Sequence, residues 1–201
     1  MSTVDNHFSG AVREEDATRS PWQTDPELTR RASAGDLDAF EALYARHYRL
    51  VYRFARSLTQ SADAAEDITQ EVFVRLLIDV ASRYDSERGA LTSYLYGVAR
   101  NLSRARMRRH ARLISMDAVL GSVTESDGPH TRLQEAEIVI AVRRALRCLP
   151  VLFREVILLC DLHGLSYEQA ASATGSSIGA VRSRLHRGRR LVRAHLKHIR
   201  T

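Results

Sequence analysis

Ser166 and Gln169 stand three residues apart at the head of the segment LSYEQAASATGSSIGAVRSRLHRGRR, residues 165–190. A hydroxyl and a side-chain amide so spaced can each bond the other's backbone N–H, which starts a helix. Ala170 and Ala171 are small enough for a second helix to cross close by, and Gly175 supplies the left-handed backbone needed to leave the first. Ser176 or Ser177 then caps a second helix, in which Ile178, Val181 and Leu185 share one face. Opposite that stripe lie Arg182, Ser183, His186, Arg187 and Arg190. A helix with one face committed to a core and the other basic suits the DNA major groove. There an arginine can bind guanine through two hydrogen bonds while neighbouring bases hold phosphates. An ordinary helical hairpin with a solvated arginine face has the same spacing. The tail favours DNA: no acid follows Glu168, whereas Arg182, Arg184, Arg187, Arg189, Arg190, Arg193, Lys197 and Arg200 all do. Each phosphate that such a surface neutralises releases condensed counterions. A membrane-surface helix would account for this tail and leave the rest of the chain unexplained.

A second basic run, RNLSRARMRRHAR at residues 100–112, carries six arginines just after Tyr94 and Tyr96. Bases interleaved with aromatic rings suit capture of a separated DNA strand. Stacking contributes about 1–3 kcal/mol per base, against a few kcal/mol for each step unstacked. One of the two rings belongs in the core, and Tyr84, in a polar break, is the more exposed ring. Asp63, Glu66, Asp67 and Glu71 would repel DNA, so their face turns to protein or to water. Cys160-x-x-His163 and His195-x-x-His198 have metal-ligand spacing, but a core cysteine and solvated histidines are the plainer reading, with no metal or cofactor expected. There is no Gly-rich phosphate loop, nucleophile motif or working carboxylate pair, so enzymatic chemistry is not indicated.

These residues need helices to position them. The fold class is all-α: two small helical domains joined by a flexible linker, the second ending in a helix-turn-helix. Residues 1–24, rich in acids, read as a disordered extension. Asp25-Pro26 reads as an N-cap and a first-turn proline. Three long helices follow: one after Gly35 through Leu58, one over 61–84 with Ile68, Val72, Leu76 and Val80 inward, and one over 91–112. They complete a first domain at 25–112. Residues 113–131, with Gly121, Gly128 and Pro129, read as a linker of up to about 60 Å at 3.3–3.6 Å per residue. The second domain spans 132–201, with an amphipathic helix over 137–149, a break at Pro150 and a very apolar helix over 151–162. The 201 residues carry net charge +6, 44% hydrophobic residues and two cysteines. That excludes a disulfide framework and a membrane span and fits a reducing, cytoplasmic setting.

Both blocks resemble the extracytoplasmic-function sigma factors of bacterial RNA polymerase. The C-terminal likeness runs through Leu149-Pro150, Arg154-Glu155-Val156, Gly164-Leu165-Ser166-Tyr167, Ala171, Gly175 and 181–187. It is similar to the family's fourth conserved region. The N-terminal likeness runs through Asp38-Ala39-Phe40, 65–73, Ser93-Tyr94-Leu95, Val98 to Asn101 and Arg108-Arg109, and is similar to the second. The resemblance implies binding to core RNA polymerase, with Asp67, Gln70, Glu71 and Phe73 at the clamp. It implies reading of promoter DNA, with Tyr84, Tyr94, Arg100, Asn101, Arg104, Arg108 and Arg109 at the downstream element and in strand opening. Gly179, Arg182, Ser183, His186 and Arg187 fall at the upstream element. It further implies an anti-sigma partner, no membrane insertion, and a stress or envelope-response regulon. Where the family often has tryptophan this chain has Tyr94, and Arg104-Ala105-Arg106 is more basic than usual. The rival reading is a stand-alone helix-turn-helix regulator. It accounts for residues 165–201 but not for the acidic block, the tyrosine-arginine helix or the linker.

Overall fold

The computed structural model describes residues 24–80, 90–117 and 135–199, and every regular element among these is helical. The expected N-terminal extension through residue 23, the break that holds Tyr84, and 118–131 of the expected linker lie outside the described residues.

Four helices build the first lobe: α1 (Asp25–Ser33), α2 (Leu37–Thr59), α3 (Ala62–Val80) and α4 (Leu91–Asp117). The cap of α1 falls one residue before the expected Asp25, on Thr24. Asp25 has better partners: its carboxylate accepts from Arg46 Nη1 at 2.6 Å and lies 2.9 Å from His47 Nε2. The bond to His47, aided by Arg46, holds this carboxyl below the usual range and ties α1 to α2. Asp36 caps α2 by accepting from the Ala39 amide at 3.1 Å. At the other end Gln60 adopts left-handed backbone, φ 65°, and its side chain donates to the Ser57 carbonyl at 2.8 Å.

Along α2 the buried residues Ala39, Leu43, His47, Val51, Phe54, Ala55 and Leu58 recur at three- and four-residue steps. All but His47, which turns to Asp25, meet Ile68, Val72 and Leu76 from α3 and Leu91, Leu95 and Ala99 from α4 in one apolar cluster. Each buried leucine contributes roughly 1.5–3 kcal/mol. Helix α4 changes character along its length. Its first half supplies the buried Leu91, Leu95, Tyr96, Ala99 and Ser103, whereas Arg106, Arg108, Arg109, His110 and Arg112 stand exposed on the second. It also continues to Asp117, past the expected end near Arg112.

The second lobe comprises α5 (Glu135–Arg147), α6 (Val151–Ile157), α7 (Tyr167–Thr174) and α8 (Ile178–Ile199). The expected single helix over 151–162 is α6 followed without interruption by a π-helical turn, Leu158–Leu162. The His163 amide reaches back five residues to the Leu158 carbonyl at 2.9 Å. Such a turn takes in one more residue than an α-turn, and the apolar run Val156 to Leu159 carries no sign of it. The capping box is present, with Gln169 N to Ser166 Oγ at 3.2 Å and Ser166 N to Gln169 Oε1 at 2.9 Å. Gly175, φ +60°, ends α7 in left-handed backbone. Ser177 rather than Ser176 caps α8, accepting from the Ala180 amide at 3.2 Å. Helices α6 and α8 cross at Gly188, where a Cβ would come within 2.7 Å of Ile157 Cδ1 and 3.3 Å of Phe153 Cβ.

The two lobes are packed together, and the buried apolar residues of both belong to one cluster. Helix α4 lies against α7 at Gly97, where a Cβ would sit 3.3 Å from the Ala173 carbonyl oxygen. Only small residues at that crossing allow so close an approach. Arg154 from α6 donates to the Leu58 carbonyl of α2 at 3.3 Å, and to Arg147 and Leu149 carbonyls at 2.6 and 3.0 Å. One guanidinium thereby serves the carbonyl ends of two helices.

Candidate nucleic-acid interface

On α8, Val181, Leu185 and Gly188 are buried while Gly179, Arg182, Ser183, His186, Arg187 and Arg190 are exposed. The expected reading face is therefore brought together on one solvent-facing side. Its arginines are not equivalent. Arg184 donates to Ser176 Oγ at 2.7 Å, and Arg189 pairs with Asp161 at 2.5 Å. Arg189 has its pKa raised, chiefly by that hydrogen bond. Arg182 lies over the Tyr167 ring, 5.5 Å from its centroid, a cation–π contact that restricts where its guanidinium points. Arg187 and Arg190 have no ion-pair partner among the described residues. Tyr167, Arg182, His186, Arg189, Arg190 and Arg193 line a cleft of about 340 Å³. Its walls suit an anion such as a backbone phosphate. At 1.5 Å per residue, α8 is roughly 33 Å long, enough to lie along a major groove.

The second basic surface is divided. Asn101, Arg108 and Arg109 are exposed on α4. Arg100 is only 9% exposed: its Nε donates to Glu155 Oε2 at 2.8 Å, and its Nη1 donates to Asn101 Oδ1 at 3.2 Å. Half-buried Arg104 approaches Glu155 Oε1 at 3.6 Å, too far for a hydrogen bond. Tyr94 is half-buried and its hydroxyl donates to Asp79. Tyr96 is the ring that belongs to the core. It meets Phe54 edge-on at 5.0 Å, and its hydroxyl oxygen lies 2.8 Å from His163 Nδ1. Burial pushes the Tyr96 phenol up to about 12. Burial, with Arg53 as a lesser cause, pushes His163 down to about 4. A neutral phenol donating to a neutral imidazole satisfies both shifts. The expected solvated histidine is, at this position, a seam residue packed on Phe54 and Tyr96. Cys160 is half-buried and its thiol is pushed up by burial. No group of three His, Cys, Asp or Glu side chains that could hold a metal ion occurs among the described residues.

On α3, Asp67, Gln70 and Glu71 are exposed, with Asp67 paired to Arg106 at 3.3 Å and Glu71 to Arg75 at 2.8 Å. Phe73 lies beneath them, 3% exposed and 4.7 Å from the Tyr44 ring, so it supports this surface from below. Sequence reasoning missed three exposed apolar residues on the same helix, Val74, Leu77 and Ile78. Their spacing of four, seven and eight residues from Gln70 was the available signal, since it places them on Gln70's stripe.

Family comparison bears on these two lobes. Residues 43–113 match the Sigma-70 region 2 family and residues 140–192 match Sigma-70, region 4. The chain is 32% identical over 168 residues to the ECF RNA polymerase sigma factor SigM of Mycobacterium tuberculosis, covering 83% of this chain and 82% of that protein. It belongs to the ECF RNA polymerase sigma factors. The corresponding SigE of Mycolicibacterium smegmatis is 33% identical over 164 residues, which are 80% of this chain and 62% of SigE. A solved structure of the sigma factor RpoE from Bartonella quintana, in complex with the anti-sigma factor NepR, superposes with TM-score 0.67 at 28% identity. The match covers 79% of this chain and 96% of that one. This sigma factor is a transcription initiation factor and not an enzyme: it directs RNA polymerase to promoters. Family membership, carried by both lobes, displaces the stand-alone regulator. No helix among the described residues is long and apolar enough to cross a membrane.

Proposed function

We propose a division of labour among the three surfaces of this sigma factor. Helix α8 enters the major groove of the upstream promoter element, with Arg182, Ser183, His186 and Arg187 at base edges or phosphates and Gly179 letting the backbone come close. Helix α4 engages the downstream element through Asn101, Arg108 and Arg109, joined by Arg100 and Arg104, while Tyr94 and Tyr84 stack on separated bases. The stripe on α3, with Asp67, Gln70 and Glu71 over Phe73, docks on core polymerase, and Val74 and Leu77 give that contact an apolar centre. One observation carries this reading: α8 presents exposed arginines without acidic partners on one side, while Val181, Leu185 and Gly188 commit its other side to the fold.

The protein acts in the cytoplasm, where promoter DNA and polymerase are. An anti-sigma factor restrains it, as NepR is bound to the structural neighbour, until a stress or envelope signal releases it. In vitro transcription with core enzyme and mapped start sites tests the whole assignment. Start-site choice that depends on the added chain is the expected outcome, and unchanged initiation by core alone would refute it.

A further inference from the structure

We propose that Asp79 is a positioning residue for strand opening, holding the Tyr94 ring where a separated base can stack on it. Tyr94 is meant here as the stacking ring of the preceding reading, on which this inference rests; that reading gives Asp79 no role. Tyr94 is half-buried against the apolar cluster, and its hydroxyl donates to the Asp79 carboxylate near the C-terminus of α3. The side chain is therefore held at both ends, by its Cα on α4 and by its hydroxyl on α3.

The place of the ring on α4 fits that task. Tyr94, Asn101 and Arg108 recur every seven residues, close to two full turns, so one stripe of α4 carries a ring, an amide and a guanidinium. A strand whose base stacks on the ring meets the amide and the guanidinium along the same line, where they can bond a base edge or a phosphate. Tyr96, two residues on, cannot share the work. Its ring is 2% exposed, and its hydroxyl meets His163.

Asp79 stands apart from the docking stripe. It lies nine residues beyond Gln70, two and a half turns of helix, and so faces away from that residue; no other acid follows Glu71 on α3. On α4 no acid occurs before Asp117. A carboxylate beside so basic a stripe repels phosphate, which weakens DNA binding unless the carboxylate orients a neighbour. Tyrosine has two side-chain torsions to fix before a base can rest on it. Here the bond to Asp79 fixes them on folding, so the strand meets a preorganised face. From the ordering of one such side chain, the gain in opening is about 2- to 10-fold.

The test uses the full chain with core polymerase on a promoter fragment mapped by in vitro transcription. The fragment carries 2-aminopurine in its downstream element, a base whose fluorescence rises on strand opening. Asp79→Ala and Tyr94→Phe should each slow opening about 2- to 10-fold, and the double variant no further. Asp79→Asn, whose amide oxygen still accepts from the hydroxyl, should recover most of the loss. Thermal melts and binding of an upstream-element duplex are measured alongside. A bond that merely joined α3 to α4 would lower the melting temperature of Asp79→Ala and leave opening by the folded protein unchanged; that result, or no recovery with Asp79→Asn, overturns the proposal. Tyr94→Ala tells the two levels apart. Opening that survives loss of the ring refutes the stacking role itself, whereas opening lost with the ring but normal in Asp79→Ala refutes only the role of Asp79.

Discussion

Replacing Arg187 by alanine isolates DNA reading from folding. Arg187 is exposed and has no ion-pair partner among the described residues, so its removal should leave stability within about 0.5 kcal/mol. If it reads a guanine, the loss is about 1–3 kcal/mol, or roughly 5- to 150-fold in affinity, with relaxed preference at one base pair. If it holds a phosphate, binding weakens evenly across sequences and the salt dependence loses about one counterion. Arg189 is the internal control. Its guanidinium is held by both oxygens of Asp161, at 2.5 and 3.0 Å, with 45% and 30% of the two side chains exposed. Arg189→Ala should therefore cost up to about 1 kcal/mol of stability and less DNA affinity than Arg187→Ala. Fluorescence anisotropy with an upstream-element duplex from low to moderate salt, paired with thermal melts, measures both quantities. Stronger loss of binding at Arg189 than at Arg187 would refute the assignment of the reading face.

Three other perturbations separate the remaining surfaces. Leu77→Asp alters a side chain that is 48% exposed. It should lower core-polymerase affinity at least tenfold, about 1.4 kcal/mol, with an unchanged melting temperature; undiminished pull-down would remove the docking role. Ser166→Ala breaks the capping box and should cost about 1 kcal/mol, visible in the melt of the second lobe and in weaker promoter binding. For pH, burial lowers His163 to about 4 from an ordinary 6.5, so the unpacked chain binds its proton first. The stability contributed by neutral His163 is complete above about pH 6.5 and is lost as pH falls towards 4. Asp25, whose pKa is lowered from 3.8, loses its contribution only in the more acidic range. Melts between pH 7.5 and 4.5 should slope downward, and His163→Gln should flatten that slope; a flat wild-type profile would count against the buried histidine.

What could be read from residues alone was local. The capping box at Ser166 and Gln169, the left-handed exit at Gly175 and the inward Val181 and Leu185 obey short-range rules, whereas Ile178, expected inward with them, is 38% exposed at the head of α8. Thr24 was missed as the cap of α1 because Asp25 has partners on α2, twenty-one and twenty-two residues away, that outbid the local amide. Phe73 stood in a motif block and so read as a contact, whereas burial against Tyr44 makes it a support. Glu155 gave a partial signal: a lone acid beside Val156, Ile157, Leu158 and Leu159 must find a buried cation. Which arginine answers it, fifty-five residues earlier, depends on how the lobes meet, and no spacing rule reports that.

The π-helical turn at 158–162 takes up one residue more than an α-turn would between the same flanking positions. Deleting one residue there is absorbed by reversion to an ordinary α-turn, so His163 keeps its facing towards the Tyr96 hydroxyl. Adding one has no such slack and turns everything downstream by about 100°, one residue's share of a 3.6-residue turn. This stretch therefore tolerates losing a residue better than gaining one.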